Sequence, residues 1–435
     1  MITRGGIVAA RPALAPAVAR RVALPAVVVA ALGLISLALY LLALVRPYFL
    51  PRDAPFPLLD LGKIGGYDRG AGVRYTAPLV AVWCAYCAAA ALAPSVRPAR
   101  LLRWLAYGGA ALFALALLWL YPITAADLFN YALYGLVQHH SVNPLLVPPQ
   151  EVIGQPLLGY SAWPAYVSPY GPLWQWIAYG VTALTGERLL PGLLAFKVVL
   201  IGCHLLNVLL VERIAAGMGW RSPGAAALVY GWNPLVVYET AGNGHNDIVM
   251  LTALLLAVWC LGRSRRVRAL ALPVAALGAL AKYVAVLWLP VFVFSQVATL
   301  RPRAWARWVT GAGVACALLA VAAYWPFWAG AHTFDGIRRQ ADLTTSSFGS
   351  LAMIVAVQQH HLLDAKLALK LVKAAAFAIV ALTFVLRRPR DGTAASAIAA
   401  LFDTTLAYLL VGALWFQPWY LVPLMGLAAL SGPAR

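Results

Sequence analysis

Apolar runs of about 20 residues, each long enough to span a bilayer as a helix, recur along this chain between short clusters rich in Arg, Pro and Gly. The pattern predicts helices over 22–45, 76–94, 102–121, 189–211, 223–239, 247–262, 305–325 and 364–386. Two half-length segments lie between 268 and 301, and a final pair flanks the turn 415–420, WFQPWY. The expected architecture is an all-α polytopic protein of about twelve spans with both termini inside.

Basic residues in short loops orient such spans, because cytoplasmic loops retain Lys and Arg. Arg4, Arg11, Arg20 and Arg21 place the N-terminus inside, and the clusters at Arg97–Arg103, Arg263–Arg268 and Arg387–Arg390 then fall on the same side. Loop 46–75 breaks the rule with Arg46, Arg52, Lys63, Arg69 and Arg74, partly offset by Asp53, Asp60 and Asp68. Segment 172–185 has the apolar character of a span, yet a crossing there would invert every later basic run. It is therefore expected to lie along the outer interface, where Trp174, Trp176 and Tyr179 are at home. Residues 268–301 begin and end on the inner side, so they cross an even number of times or re-enter, with the turn near Lys282. A lysine at such depth is costly unless it meets an anion or water.

Composition narrows the class. At 63% hydrophobic and 11% charged residues, with mean hydropathy +0.80, the chain lies far from soluble domains, which carry about 25% charged residues. The net charge of +19 is spread in short inter-helical runs, which is the positive-inside pattern and argues against nucleic acid as a partner. Five cysteines all fall in apolar segments and read as reduced packing residues; Cys84 and Cys87 have C-x-x-C spacing without a thioredoxin-like context. The 22–45 run is too long for a signal-peptide core and reads as the first membrane helix. No soluble domain or tandem repeat is evident, so residues 1–435 are expected to form one integral membrane domain.

One stretch carries the candidate chemistry. Residues 121–186 contain no Lys or Arg, in a chain that has 33, which places them outside the cytoplasm. Asp127 follows the third helix directly, and in a helix over 125–137 Asn130, Tyr131 and Tyr134 share its face. A second cluster lies in 232–250, WNPLVVYETAGNGHNDIVM, where Glu239, Asn243, His245, Asn246 and Asp247 crowd a hairpin that Gly242 and Gly244 allow to turn. Acids at membrane level are functional candidates, with helix capping by Asn246 or Asp247 as the alternative. His245 and Asp247 lack a third ligand at zinc-site spacing. A basic set, Lys282 with Arg338 and Arg339, would suit an anionic lipid phosphate.

The order ADLFNYALYG, then Asn143–Pro144, then Tyr170, Pro172 and Leu173 leading into an aromatic interfacial helix that ends at Gly186 resembles the GT-C glycosyltransferases. Within them, NPLVVYETAGNGHND, ALAKYVAVLWLP and FQPWYLVPL look like the bacterial mannosyltransferases that extend lipid-anchored mannans and, more distantly, the first mannosyltransferase of GPI synthesis. The resemblance, over about 122–423, implies a plasma-membrane, multi-pass enzyme with an extracytoplasmic catalytic loop at 122–188. It implies a polyprenyl-phosphate sugar donor, mannose favoured, a glycan or glycolipid acceptor, and inversion in one displacement.

By carry-over Asp127 is the base, with a single Asp where the family often has two. One carboxylate is a poor divalent site, so no cofactor is expected. Lys282 or the Arg338 and Arg339 pair would steady the leaving phosphate. His139, His140, Asn143, Tyr170, Gln417, Trp419 and Tyr420 would join Asn130 and Tyr131 in contacting substrate, and Asp247 with His245 would hold hydroxyls. A secondary transporter, or a lipid-linked sugar flippase or ligase, is the competing class.

Overall fold

A computed structural model describes residues 15–359 and 364–431. Arg4 and Arg11, two of the N-terminal orienting charges, lie outside the described residues. Among those described, the secondary structure is helical apart from isolated bridges. The long helices are α1 (Ala15–Leu39, continued by a π turn Tyr40–Val45), α2 (Arg69–Leu92) and α3 (Ala99–Leu117). They are followed by α4 (Asp127–His139), α5 (Pro172–Thr185), α6 (Leu189–Gly217), α7 (Pro223–Gly231) and α8 (Asp247–Leu261). The second half contains α9 (Ala271–Ala281), α10 (Leu289–Val297), α11 (Pro302–Tyr324), α12 (Asp335–Gln340), α13 (Ala365–Arg387), α14 (Ala394–Ala407) and α15 (Val422–Ala428).

Among the described residues, seven stretches are long and apolar enough to cross a membrane: Leu24–Val45, Arg69–Ser95, Ala99–Leu117, Leu189–Gly217, Pro302–Tyr324, Ala365–Arg387 and Ala394–Gly412. The protein is thus a polytopic membrane protein. The other expected spans are shorter apolar helices, interrupted for identifiable reasons. The helix expected over 223–239 breaks at Asn233–Pro234, where the Asn233 carboxamide accepts from the Val236 N–H at 3.1 Å and restarts the chain with Pro at the first position. It then widens into a π turn, Tyr238–Gly242, a feature that concentrates at functional sites.

Burial separates centre from rim. The apolar window of α6 is 50% buried, whereas those of α11 and α13 are 6% and 11% buried. So α6 forms the centre of the bundle, packed on α3, α7 and α8, while α11 and α13 turn apolar faces outward as lipid-facing helices do. Inside α6, the fully buried Lys197 reaches the end of α3. Its Nζ donates to the carbonyls of Leu117 (3.3 Å), Leu118 (3.2 Å) and Leu120. These carbonyls lie at and just past the end of α3, where a helix leaves acceptors to be filled; Leu117 also accepts from the Leu120 N–H at 3.0 Å, and the ammonium serves all three.

From that clamp the chain runs six residues past Tyr121 to Asp127 at the start of α4. Helix α5 lies against α4, tied by Gln138 Nε2 to the Gln175 carbonyl (3.1 Å) and by His139 to Thr182 (3.0 Å). With 14 residues, α5 is about 21 Å long, short of the roughly 30 Å hydrocarbon core. Helices α9 and α10 are shorter still, and between them Lys282 is extended before the 3₁₀ segment Tyr283–Trp288.

Candidate active site

Five separate segments converge beside the start of α4. Asp127 is the first residue of that helix, its side chain 22% exposed. The Tyr170 hydroxyl donates to Asp127 Oδ1 at 2.5 Å. Tyr170 itself is brought in by Gly171, whose N–H donates to the Ala281 carbonyl at 3.1 Å. A Cβ on Gly171 would stand 2.1 Å from the Leu280 carbonyl oxygen, so only glycine permits this approach. The same contact brings Lys282 next to the loop. Lys282 Nζ meets Asp247 Oδ2 at 2.6 Å and lies 5.0 Å from the ring centre of Tyr420.

The hairpin before α8 supplies the remaining polar groups. Gly244 adopts φ +78°, a left-handed conformation that favours glycine, and its missing Cβ leaves room for Leu128. This turn directs His245 inward, where its ring stacks on Trp419 at 3.8 Å. Its Nδ1 stands 3.9 Å from Asp127 Oδ2 and its Nε2 3.4 Å from Glu239 Oε2. Asn243 donates to Glu239 Oε2 and to the Thr124 hydroxyl, each at 2.8 Å, and the Tyr131 hydroxyl accepts from the Asn246 N–H at 3.4 Å. Tyr131 also packs edge-on against Tyr170.

Burial pushes the Asp127 carboxyl above the usual aspartate range, opposed by the Tyr170 hydrogen bond and the Lys282 charge. Burial and the Asp127 charge push the Tyr170 hydroxyl well above its ordinary value, so it remains a donor. An acid held only by one phenol and a nearby ammonium has lone pairs free for a proton.

A cavity of about 340 Å³ opens beside the Lys282–Asp247 pair, within the size range of ligand sites, about 300–1,000 Å³. Leu287, Ile337, Leu409 and Leu414 give it apolar walls, while Lys282, Asp247, Gln340, Lys373, Tyr408 and Tyr420 give it polar points. Lys373 on α13 pairs with Asp342 at 2.5 Å. Among the described residues there is no group of three or more His, Cys, Asp or Glu arranged to hold a metal ion.

The structure therefore gathers Asp127, Tyr131, Tyr170, Glu239, Asn243, His245, Asn246, Asp247, Lys282, Trp419 and Tyr420 from the sequence-based set. Other members are engaged elsewhere. Asn130 accepts from the Ser161 hydroxyl at 2.8 Å, inside the protein. His139 stacks on Tyr179, and His140 ends α4 at the surface. Asn143 ties the long loop to the Phe327 carbonyl at 2.8 Å. Gln417 precedes the turn that carries Trp419 and Tyr420. On α12 and at its C-cap, Ile337, Gln340 and Ala341 face the cavity, whereas Arg338 pairs with Asp335 and Arg339 lines a separate recess. Sequence reasoning missed Lys197, Gln340, Lys373 and Tyr408. The spacing of Lys366, Lys370 and Lys373, which puts three lysines on one face of an otherwise apolar helix, is the signal for Lys373.

Comparison with known proteins adds an independent observation. The family described as alpha-(1->6)-mannopyranosyltransferase, N-terminal domain, matches residues 30–298. The chain belongs to this mannosyltransferase family. An alpha-(1->6)-mannopyranosyltransferase of Mycobacterium tuberculosis is 32% identical over 155 residues, 34% of this chain and 25% of the relative. The alpha-(1->6)-mannopyranosyltransferase A of the same organism is 26% identical over 186 residues, 42% of this chain and 35% of the relative. Its counterpart from Corynebacterium glutamicum is 27% identical over 131 residues, 30% and 26% of the two chains. The matches thus span about a quarter to a third of the curated relatives' length. No solved structure matches. The family match contains Asp127, Tyr170, the 239–247 hairpin and Lys282; Lys373, Trp419 and Tyr420 lie beyond it. This membership favours a glycosyltransferase over the transporter class.

Proposed function

We propose that this mannosyltransferase family member transfers mannose from a polyprenyl-phosphate donor to a glycan or glycolipid acceptor at the extracytoplasmic face. Its fold would be of GT-C type, with the shorter apolar helices completing about twelve spans. The observation that carries the proposal is one carboxylate and one lysine side by side at the edge of an apolar-walled cavity. In that arrangement the isoprenoid lies along Leu287, Ile337 and Leu409, and the phosphate takes Lys282 as counter-ion. Asp247 holds the ammonium in place from behind. Asp127 removes the proton from the acceptor hydroxyl, whose oxygen bonds to the anomeric carbon as the carbon–oxygen bond to phosphate breaks, with inversion. Charge grows on the departing phosphate, where Lys282 stabilises it. Lys373, which also lines the cavity, replaces the Arg338 and Arg339 pair as a second cation for that phosphate.

Purified protein with a panel of polyprenyl-phosphate sugars and a short mannan acceptor tests the assignment. Transfer in detergent, without a gradient, from the mannose donor and not from glucose or arabinose donors supports it. Absence of transfer from every lipid-phosphate sugar, with uptake of sugar into proteoliposomes, replaces it with transport.

A further inference from the structure

His245 is 1% exposed, and both of its ring nitrogens lack a hydrogen-bond partner. Buried imidazoles are rarely left so. Their nearest carboxylate oxygens are Asp127 Oδ2, 3.9 Å from Nδ1, and Glu239 Oε2, 3.4 Å from Nε2. The ring plane is fixed by the Trp419 stack, 3.8 Å between centres and 16° apart in tilt. Glu239 is fixed in turn by Asn243, itself anchored on Thr124. So a chain of buried groups runs from Asn243 through Glu239 and His245 to the carboxylate assigned as base, and it is too enclosed to meet substrate directly.

We propose that His245 and Glu239 are positioning residues for Asp127: Glu239 and His245 share one proton, and the imidazole presents Nδ1–H to Asp127 Oδ2. This rests on Asp127 being the base. A movement of under about 1 Å at Nδ1 makes the hydrogen bond, as catalytic contacts often tighten only when substrate is present. Together with Tyr170 on Oδ1, that donor fixes both oxygens of the carboxylate and leaves its remaining lone pairs for the acceptor proton.

Charge balance argues the same way. The groups facing the imidazole are Asp127 from α4, Glu239 from the π turn, Trp419 from the last turn and, through charge, Lys282 beside Asp247. Lys282 neutralises Asp247. A proton shared by Glu239 and His245 neutralises that pair, and Asp127 remains the one uncompensated anion in the cluster.

Two amide replacements separate this role from mere packing. The Asn amide nitrogen falls near the Nδ1 position of histidine, and the Gln amide nitrogen near Nε2. His245→Asn is expected to keep kcat within about tenfold of the parent, with the acid limb of its pH profile in place. His245→Gln is expected to lose more than that at unchanged donor KM. Its acid limb moves to higher pH, because a hydrogen bond to the ionised form of Asp127 has gone. Equal losses in the two variants, or no movement of the acid limb in His245→Gln, overturn the proposal.

Should the histidine variants not fold, Glu239→Gln and Glu239→Met decide. With the Asn243 amide turned so that its otherwise unpartnered oxygen accepts from the new N–H, the Gln amide still donates to Nε2 and keeps turnover, whereas the thioether cannot and loses it; equal turnover in both overturns the proposal. Full turnover in Asp127→Asn refutes the base itself, an outcome distinct from failure of this relay of contacts.

Discussion

At the scale of single residues, Asp127 and Lys282 sit in different electrostatic settings. The dense surroundings of Asp127 raise its carboxyl above the ordinary range, and a base works only when ionised. Activity is therefore expected to be full above that raised value and to fall as pH drops through it. The acid limb of kcat should consequently lie higher than for a solvated aspartate, near 4. A limb below that point contradicts the assignment. Lys282 is paired with Asp247, which is 1% exposed, so Lys282→Met removes the proposed phosphate partner and strands a buried anion. Stranding such a charge costs about 3–5 kcal/mol. Lys282→Met should raise the apparent donor KM, and the double variant with Asp247→Asn should recover stability without recovering donor affinity. Donor titration combined with thermal unfolding in detergent reads both.

At the scale of elements, the site depends on a few close approaches between segments far apart in sequence. Gly171 lies against the carbonyl of Leu280, and an added methyl has nowhere to go. Overpacking of this kind costs about 1–3 kcal/mol, and here it also pulls Tyr170 from Asp127 and disturbs the break at Lys282. Gly171→Ala should lower kcat more than it raises KM, with a lower unfolding temperature; unchanged kinetics would mean that the loop reaches the site by another route. Positions of this sort explain what sequence could convey. The hairpin 232–250 was legible because its acids and amides crowd one short stretch between apolar runs. The clamp of Lys197 on the end of α3 was not. A lone lysine in a long apolar helix carries no sign of which carbonyls it meets, since its partners lie 77 to 80 residues away. The assignment of Arg338 and Arg339 to the phosphate rested on charge alone. The short helix α12 turns Ile337 and Gln340 to the cavity and the arginines elsewhere.

At the scale of the whole molecule, hydropathy and charge bias conveyed a polytopic helical protein, and the seven long helices agree with it. The remaining spans were harder to bound because their polar breaks coincide with the site. Asn233–Pro234, the π turn at Tyr238–Gly242 and the extended Lys282 each interrupt an apolar run, and the last two carry residues of the candidate site. The 14-residue length of α5 and its packing on α4 suit a segment that does not cross. Single cysteines at Gln150 and Gly186, in a chain with its five native cysteines replaced, should both react with an impermeant maleimide from outside intact cells. Labelling of Gly186→Cys from the cytoplasmic side alone would show that the segment crosses and that every later helix is inverted.

The measurement that tests the central claim most directly is single-turnover transfer from polyprenyl-phosphate mannose by Asp127→Asn beside Asp247→Asn, with donor binding followed for both. Asn keeps the shape and the hydrogen bond from Tyr170 but accepts no proton. A positioned base contributes about 10² to 10⁴ in rate, so Asp127→Asn should lose that much while binding donor normally. Asp247→Asn should weaken donor binding through Lys282 and retain most of the transfer rate once saturated. Near-parental turnover in Asp127→Asn, with collapse and retained donor binding in Asp247→Asn, would contradict the account and make Asp247 the base.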